Sequence, residues 1–259
     1  MQRAPVFDLT MLVDLHEWLQ AVEAFTVRSE GQKLADLLAE AHRRPWLSGE
    51  RGEGELPRQL QRMAGCIKEF SQSVRLLRPL EALEAAARAQ TLARQVEQEA
   101  ARWAKPFRHI LLRLTDELSP LATGDARALD EERLRRQLSL IKHYVEKDLI
   151  VQAVLLGREW LVNWLAWRAG NKPWLNRDTR QELERVLGLA ARRLQEGDTE
   201  AVPSWYDALP EAGDVADLWC WLTNLRNDMA HCAMNDHPAP SSSIRERAEE
   251  LVQRLSKLL

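Results

Sequence analysis

Apolar positions recur along the chain at helical spacing, and the alternating apolar and polar runs that are typical of strands are nearly absent. Ala, Leu, Glu, Gln and Arg dominate, a composition that favours helices. We therefore expect an all-α protein built as a multi-helix bundle. The apolar spacing predicts helices over residues 9–27, 32–42, 58–104 (broken at Pro79), 129–146, 149–167, 179–195, 214–234 and 244–258, with a further helix starting at Pro106.

The N-terminal part of the chain is set off by a stretch rich in glycine, proline and charge. This stretch, residues 44–57, has the composition of a linker or an exposed loop. It predicts an N-terminal helical segment over residues 1–50 and a larger helical domain over residues 51–259. For the first helix, we expect one buried apolar face made of Leu12, Leu15, Leu19 and Val22.

The most hydrophobic part of the chain, LIVQAVLLGREWLVNWLAW, covers residues 149–167. A helix that is apolar almost all round its circumference is typical of the centre of a bundle. Arg158 and Glu159 lie inside this stretch, where burial penalises their charges unless they are paired. Either they face a cleft or they form an internal pair, and the sequence leaves both alternatives open.

Near the C-terminus, the six residues 226–231 (RNDMAH) combine a permanent cation, an amide and an imidazole. On a helix over residues 214–234, Asn227 and His231 lie one turn apart. Arg226 lies on the flank, from which its long side chain can swing to the same polar face. Asp228 faces solvent or pairs with Arg226. The opposite face carries an apolar stripe of Leu218, Leu222, Leu225 and Met229.

Composition narrows the functional classes. The 259 residues carry a formal net charge of −3, which argues against a wholesale nucleic-acid binder but not against a local basic groove. The three cysteines, Cys66, Cys220 and Cys232, form no CxxC pair, so neither a zinc site nor a disulfide framework is indicated. No signal peptide and no apolar run of membrane-spanning length is visible. We expect a cytoplasmic protein with no metal, no cofactor and no membrane association.

An Arg-x4-His pattern alone is a weak indicator of function, but its position on a helix late in an all-helical chain makes it more specific. The motif at residues 226–231, late in an all-helical chain, resembles the signature of the HEPN superfamily. Residues 5–10 (PVFDLT), 15–18 (LHEW) and 157–162 (GREWLV) resemble the C-terminal portion of the CARF–HEPN ribonucleases of type III CRISPR systems. Within these, the chain is most similar to the group named for a DxTHG motif, and the likeness covers essentially its whole length in order.

This resemblance implies metal-independent cleavage of single-stranded RNA at a composite site formed by two facing copies of the chain. Arg226 would neutralise charge developing on the phosphate, and His231 would act as general acid or base. Asn227 would hold the imidazole or contact phosphate. Three weaker candidates for supporting or RNA-binding roles are Asp228, Arg158 and Glu159.

One departure concerns the sensor. Family members begin with a Rossmann-like CARF domain that binds a cyclic oligoadenylate, and neither an α/β segment nor a DxTHG string occurs here. We therefore expect a truncated chain, a split gene product or a stand-alone relative. A CARF sensor, if one acts, would lie outside these residues.

Alternative functions remain open at this point. The same helices could form a non-catalytic RNA- or nucleotide-binding module, a plain dimerisation scaffold, or a HEPN toxin that awaits an antitoxin.

Overall fold

The computed structural model describes residues 10–47, 57–170, 173–197, 201–234 and 237–259. All regular structure in these ranges is helical, which confirms the predicted all-α bundle. The helices are α1 Thr10–Arg28, α2 Gln32–Leu47, α3 Arg58–Arg75, α4 Pro79–Trp103, α5 Lys105–Leu118, α6 Glu131–Glu146, α7 Ile150–Arg168, α8 Arg177–Glu196, α9 Ser204–Asp207, α10 Ala212–Ala230 and α11 Ser241–Ser256.

Three differences from the predicted helices are longer than three residues. The second helix continues past residue 42 to Leu47, because Pro45 in its last turn removes only its own N–H bond. The four-residue α9 falls in a predicted loop and is too short to give a periodic signal. The helix α10 ends at Ala230 rather than at residue 234, because the backbone leaves the helical conformation at Cys232 and Ala233.

Two compact units make up the chain, Met1–Gly124 and Asp125–Leu259. The boundary expected after residue 50 lies within the first unit, because α2 packs against α3 across it. Residues 48–56, on which that boundary falls, lie outside the described residues. The assignment of 1–50 as an N-terminal segment and of 51–259 as a HEPN-type domain stays a prediction.

In the first unit, aromatic side chains hold α1 against its neighbours. Trp18 and Phe25 are 2% and 1% exposed. The Trp18 ring lies 5.7 Å from that of Phe107 on α5, and the Phe25 ring lies 5.8 Å from that of Phe70 on α3. Val22 is buried beside them, as predicted.

The prediction is wrong for the other three residues of that apolar face, which are not buried. Leu12, Leu15 and Leu19 are 62%, 42% and 51% exposed. On a helix of about 100° per residue, they lie between about a sixth and a third of a turn from Trp18. The helix has apolar residues round much of its circumference, and the large rings of Trp18 and Phe25 bury more apolar area than leucines do. Packing therefore selects the aromatic face.

The second unit is built round α7, which packs against α6, α8, α10 and α11. Trp160 and Trp164 on α7 are completely buried. The indole N–H of Trp160 donates to the Leu134 carbonyl at 2.8 Å, and that of Trp164 donates to the Leu258 carbonyl at 3.1 Å. The predicted central helix is thus confirmed, and its two indole N–H groups are satisfied by a carbonyl of α6 and a carbonyl just after α11.

A buried histidine lies on α6. His143 is 5% exposed, and burial, helped by the nearby charge of Lys147, lowers its pKa to about 3. The imidazole is therefore held neutral in the folded second unit.

Substitution of Trp18 tests which face of α1 is the core. We expect Trp18→Ala to lower the free energy of unfolding by about 3–5 kcal/mol, because it empties a buried ring site. The matched change Leu15→Ala on the exposed side should cost about 0.5 kcal/mol or less. Denaturant unfolding measures both, and a Leu15→Ala loss as large as that of Trp18→Ala would contradict the assignment.

Acidification tests the burial of His143. The unfolded chain binds a proton there below about pH 6.5, whereas the folded imidazole stays neutral down to about pH 3. The unfolding free energy should therefore fall as the pH drops through this window, by on the order of 2 kcal/mol between pH 7 and pH 5. Urea unfolding measures this change. Between pH 7 and pH 5, the His143→Gln variant should lose less unfolding free energy than the wild type, by that same amount. The same pH dependence in both proteins would contradict the account.

Candidate functional site

The motif at residues 226–231 lies at the C-terminal end of α10. One face of this helix is buried in the core. Leu218, Leu222 and Leu225 are 0–2% exposed, and Met229 is half-buried. This helix packs against α7 and α8. The predicted apolar stripe is therefore the buried face of α10, and the polar residues of the motif lie at its open end.

Backbone hydrogen bonds close the helix directly after the motif. The N–H of His231 donates to the Asn227 carbonyl at 3.0 Å, and the N–H of Ala233 donates to the Asp228 carbonyl at 3.0 Å. Cys232 and Ala233 have φ angles of 52° and 56°, in the left-handed region. The chain thus leaves α10 in a turn directly after the motif, and the side chain of His231 is exposed.

Arg226 and Asn227 form a direct side-chain pair. One guanidinium N–H, on Nη1, donates to Oδ1 of Asn227 at 2.9 Å. Arg226 is half-buried, and its side chain reaches from the flank of the helix toward the polar face, as the sequence predicted.

An open depression of about 280 Å³ lies beside this pair. The structure brings together three of the predicted residues in its wall, and Arg226 is not among the lining residues. The lining residues are Asn224, Asn227, Asp228, His231 and Met234. The arrangement offers a hydrogen-bonding amide, a carboxylate, a titratable imidazole and a thioether to one small ligand group.

Two of the lining residues were not predicted. Asn224 lies one turn before Asp228, so the helical spacing used for Asn227 and His231 places it on the same face. Met234 was assigned to the helix. It reaches the depression because the chain turns at Cys232 and Ala233, which no local residue preference signals, since neither is a glycine or an asparagine.

Arg158 and Glu159 form an internal pair, which decides between the two alternatives left by the sequence. Nη1 of Arg158 donates to Glu159 at 3.1 Å, and Nη2 donates to Glu184 on α8 at 3.0 Å. Arg180 on α8 donates to the other Glu159 oxygen at 2.5 Å. The Arg158 guanidinium also lies 4.3 Å from the ring centroid of Trp219 on α10.

This polar network continues to α6. Nη1 of Arg180 donates to Asn163 at 2.7 Å, and the Asn163 amide donates to Gln137 at 2.9 Å. Among the described residues, the buried Nε of Arg158 and Nε2 of Gln137 have no hydrogen-bond partner. The network joins α6, α7 and α8, and Trp219 adds α10. Arg158 and Glu159 thus brace the second unit, and neither lines the depression at the end of α10.

Comparison of the sequence with protein-family models and with curated proteins gives no match. Within the described ranges, no group of three or more His, Cys, Asp and Glu side chains is placed to hold a metal ion. None of the helices described is both long and apolar enough to cross a membrane.

Removal of the Arg158 side chain tests its bracing role. We expect Arg158→Ala to lower the unfolding free energy by about 2 kcal/mol or more, because it strips the cation from Glu159 and Glu184 and uncovers Trp219. The two carboxylates are 45% and 34% exposed, which keeps the loss below that of a fully buried pair. The control Arg177→Ala, at the exposed start of α8, should stay within about 0.5 kcal/mol of the wild type. Equal effects of the two changes would contradict the role.

Proposed function

We propose that the chain is a metal-independent endoribonuclease of the HEPN type that cleaves single-stranded RNA, with Arg226 and His231 essential. The observation that supports it most is that an exposed imidazole and the Arg226–Asn227 pair share the open end of a helix fixed by its opposite face. The resemblance of the motif and of the flanking segments to CARF–HEPN ribonucleases supplies the reaction class.

The proposed reaction uses the RNA as its own nucleophile. The 2′-hydroxyl oxygen attacks the adjacent phosphorus, and the bond from phosphorus to the 5′ oxygen breaks. A general base takes the 2′-hydroxyl proton, and a general acid gives a proton to the leaving 5′ oxygen. The products carry a 2′,3′-cyclic phosphate and a 5′-hydroxyl, so atoms and charges balance.

His231 suits either proton-transfer role, because its exposed imidazole has ring nitrogens that can accept or donate a proton. Arg226 and Asn227 suit the phosphate side, since a preorganised cation and amide stabilise charge that develops in the transition state. One imidazole cannot be base and acid at once. A homodimer with twofold symmetry would place a second copy of these residues across one groove and supply the missing group.

The biological setting is proposed from the resemblance alone. It is that of an antiviral CRISPR-associated effector in the cytoplasm, switched by a cyclic oligoadenylate sensor that lies outside these residues.

A second candidate function is a nucleotide- or RNA-binding module without cleavage. The position of Arg226 favours it, because this residue is half-buried, donates to Asn227 and is not among the residues that line the depression. Salt-sensitive RNA binding with no cleavage under any condition would support this second candidate.

A cleavage assay on the purified chain tests the first candidate. We expect cleavage of a single-stranded RNA in the presence of chelator, and a loss of about 10²–10⁴-fold in rate for His231→Ala, because proton transfer is lost. Arg226→Ala should also abolish most activity. An RNA with a 2′-deoxy nucleotide at the scissile position should stay intact.

Two exposed residues serve as matched controls. His109→Ala on α5 and Arg177→Ala on α8 remove the same side-chain types elsewhere and should leave the rate unchanged. Full activity of both motif variants, or cleavage of the 2′-deoxy substrate, would contradict the proposal.

A further inference from the structure

The line of α10 that carries Arg226 also carries Trp219. The two residues are seven positions apart in the chain. On an α-helix this is nearly two full turns, so they lie within about 20° of each other and about 10 Å apart along the axis. Leu222, which lies between them beside the same line, is completely buried. A contact that fixes Trp219 therefore also fixes the rotation of the helix at Arg226.

Arg158 covers Trp219 with a side chain that is itself held in place. Its guanidinium lies 4.3 Å from the centre of the Trp219 ring. Nη1 donates to Glu159 at 3.1 Å and Nη2 donates to Glu184 at 3.0 Å, so the planar guanidinium is tied at two points. The Arg158 side chain is only 15% exposed, which strengthens the contact of the cation with the ring. Trp219 is thus held against a cation with a fixed orientation.

The apolar stripe of α10 does not fix this rotation by itself. Burial of its leucines is favourable but not directional. Hydrogen-bonded charged groups are directional and can select one arrangement among several with similar apolar burial. The side chains of a helix reach about 5–6 Å from its axis, so a rotation of about 10° displaces their ends by roughly 1 Å. A displacement of that size is enough to slow a reaction by about 10²-fold.

We infer that Arg158 is a positioning residue of the proposed ribonuclease: through Trp219 it sets the rotation of α10 and so places the Arg226 guanidinium for its contact with the scissile phosphate. The inference rests on the proposed function and adds to it a residue outside the Arg-x4-His motif. Arg158 is not among the residues that line the depression beside the motif. We therefore expect its loss to change the rate of cleavage more than the affinity for RNA.

Single-turnover cleavage and binding separate this role from a general loss of stability. All variants are compared at a temperature at which circular dichroism shows them fully folded. Arg158→Ala should cleave single-stranded RNA about 10–100-fold more slowly than the wild type. Its affinity for an uncleavable 2′-deoxy strand should stay within about twofold of the wild-type value. Arg158→Lys keeps a cation over the ring but loses the planar fork, so its rate should fall between the two.

The matched control is Asn163→Ala, which breaks the same polar network away from α10. Asn163 accepts from Arg180 on α8 at 2.7 Å and donates to Gln137 on α6 at 2.9 Å. It is 5% exposed, so its loss also lowers the stability. We expect Asn163→Ala to keep the wild-type rate. Equal slowing by both variants, or an unchanged rate in Arg158→Ala, would overturn the inference while leaving the ribonuclease intact.

A double variant tests the path through Trp219. If Arg158 acts on the site only through this ring, adding Arg158→Ala to Trp219→Leu should slow the reaction by no more than about twofold, because the two substitutions then remove one interaction. Losses that multiply would show that Arg158 acts by another route and would contradict the inference.

A signal from the motif itself gives a readout that needs no cleavage. The side-chain oxygen of Asn227 accepts from Arg226 at 2.9 Å, so the NMR signals of the Nδ2 protons report on that pair. In isotope-labelled chain, with these signals identified by their loss in Asn227→Asp, they should shift in Arg158→Ala and stay in place in Asn163→Ala. Unshifted signals in Arg158→Ala would overturn the inference whether or not the chain cleaves RNA. Shifted signals with no cleavage of any RNA would refute the ribonuclease and support the positioning of the pair.

Discussion

The burial of α7 is the constraint on which the second unit depends. This helix is apolar on nearly every side, so four other helices must cover it, and α10 is one of them. Its two fully buried tryptophans, Trp160 and Trp164, donate their indole N–H groups to backbone carbonyls of the surrounding segments. Hydrophobic burial thus supplies the driving force, and the two hydrogen bonds fix where the neighbouring segments can lie.

The charged residues on α7 extend that constraint to the site. Arg158 contacts Glu184 on α8 and covers Trp219 on α10, two helical turns before Arg226. The same network ties α6 through Asn163 and Gln137. One face of α10 is therefore fixed over most of its length, while its last turn is open. Preorganised residues at the open end of a braced helix are what a catalytic site needs, because the chemistry then requires little reorganisation.

The sequence predicted most of the fold, because long helices leave a periodic apolar signal. It located the central helix and the buried stripe of α10 correctly. It failed on α1, where Leu15 and Trp18 are both apolar and only the partner helices decide which one is buried. In the site, the helical spacing of Asn227 and His231 placed them together. Met234 could not be found that way, since its position depends on a left-handed turn at two residues that rarely adopt one. The internal pairing of Arg158 needed Glu184 and Arg180, which are distant in sequence.

The chemistry of the cut ends tests the central claim most directly. Mass spectrometry of the fragments from a defined single-stranded RNA, incubated with the chain and chelator, distinguishes the two ways of breaking a phosphodiester. Attack by the 2′-hydroxyl predicts a 2′,3′-cyclic phosphate on one fragment and a 5′-hydroxyl on the other. A 3′-hydroxyl with a 5′-phosphate would show that water attacked instead, and would contradict the mechanism proposed for Arg226 and His231.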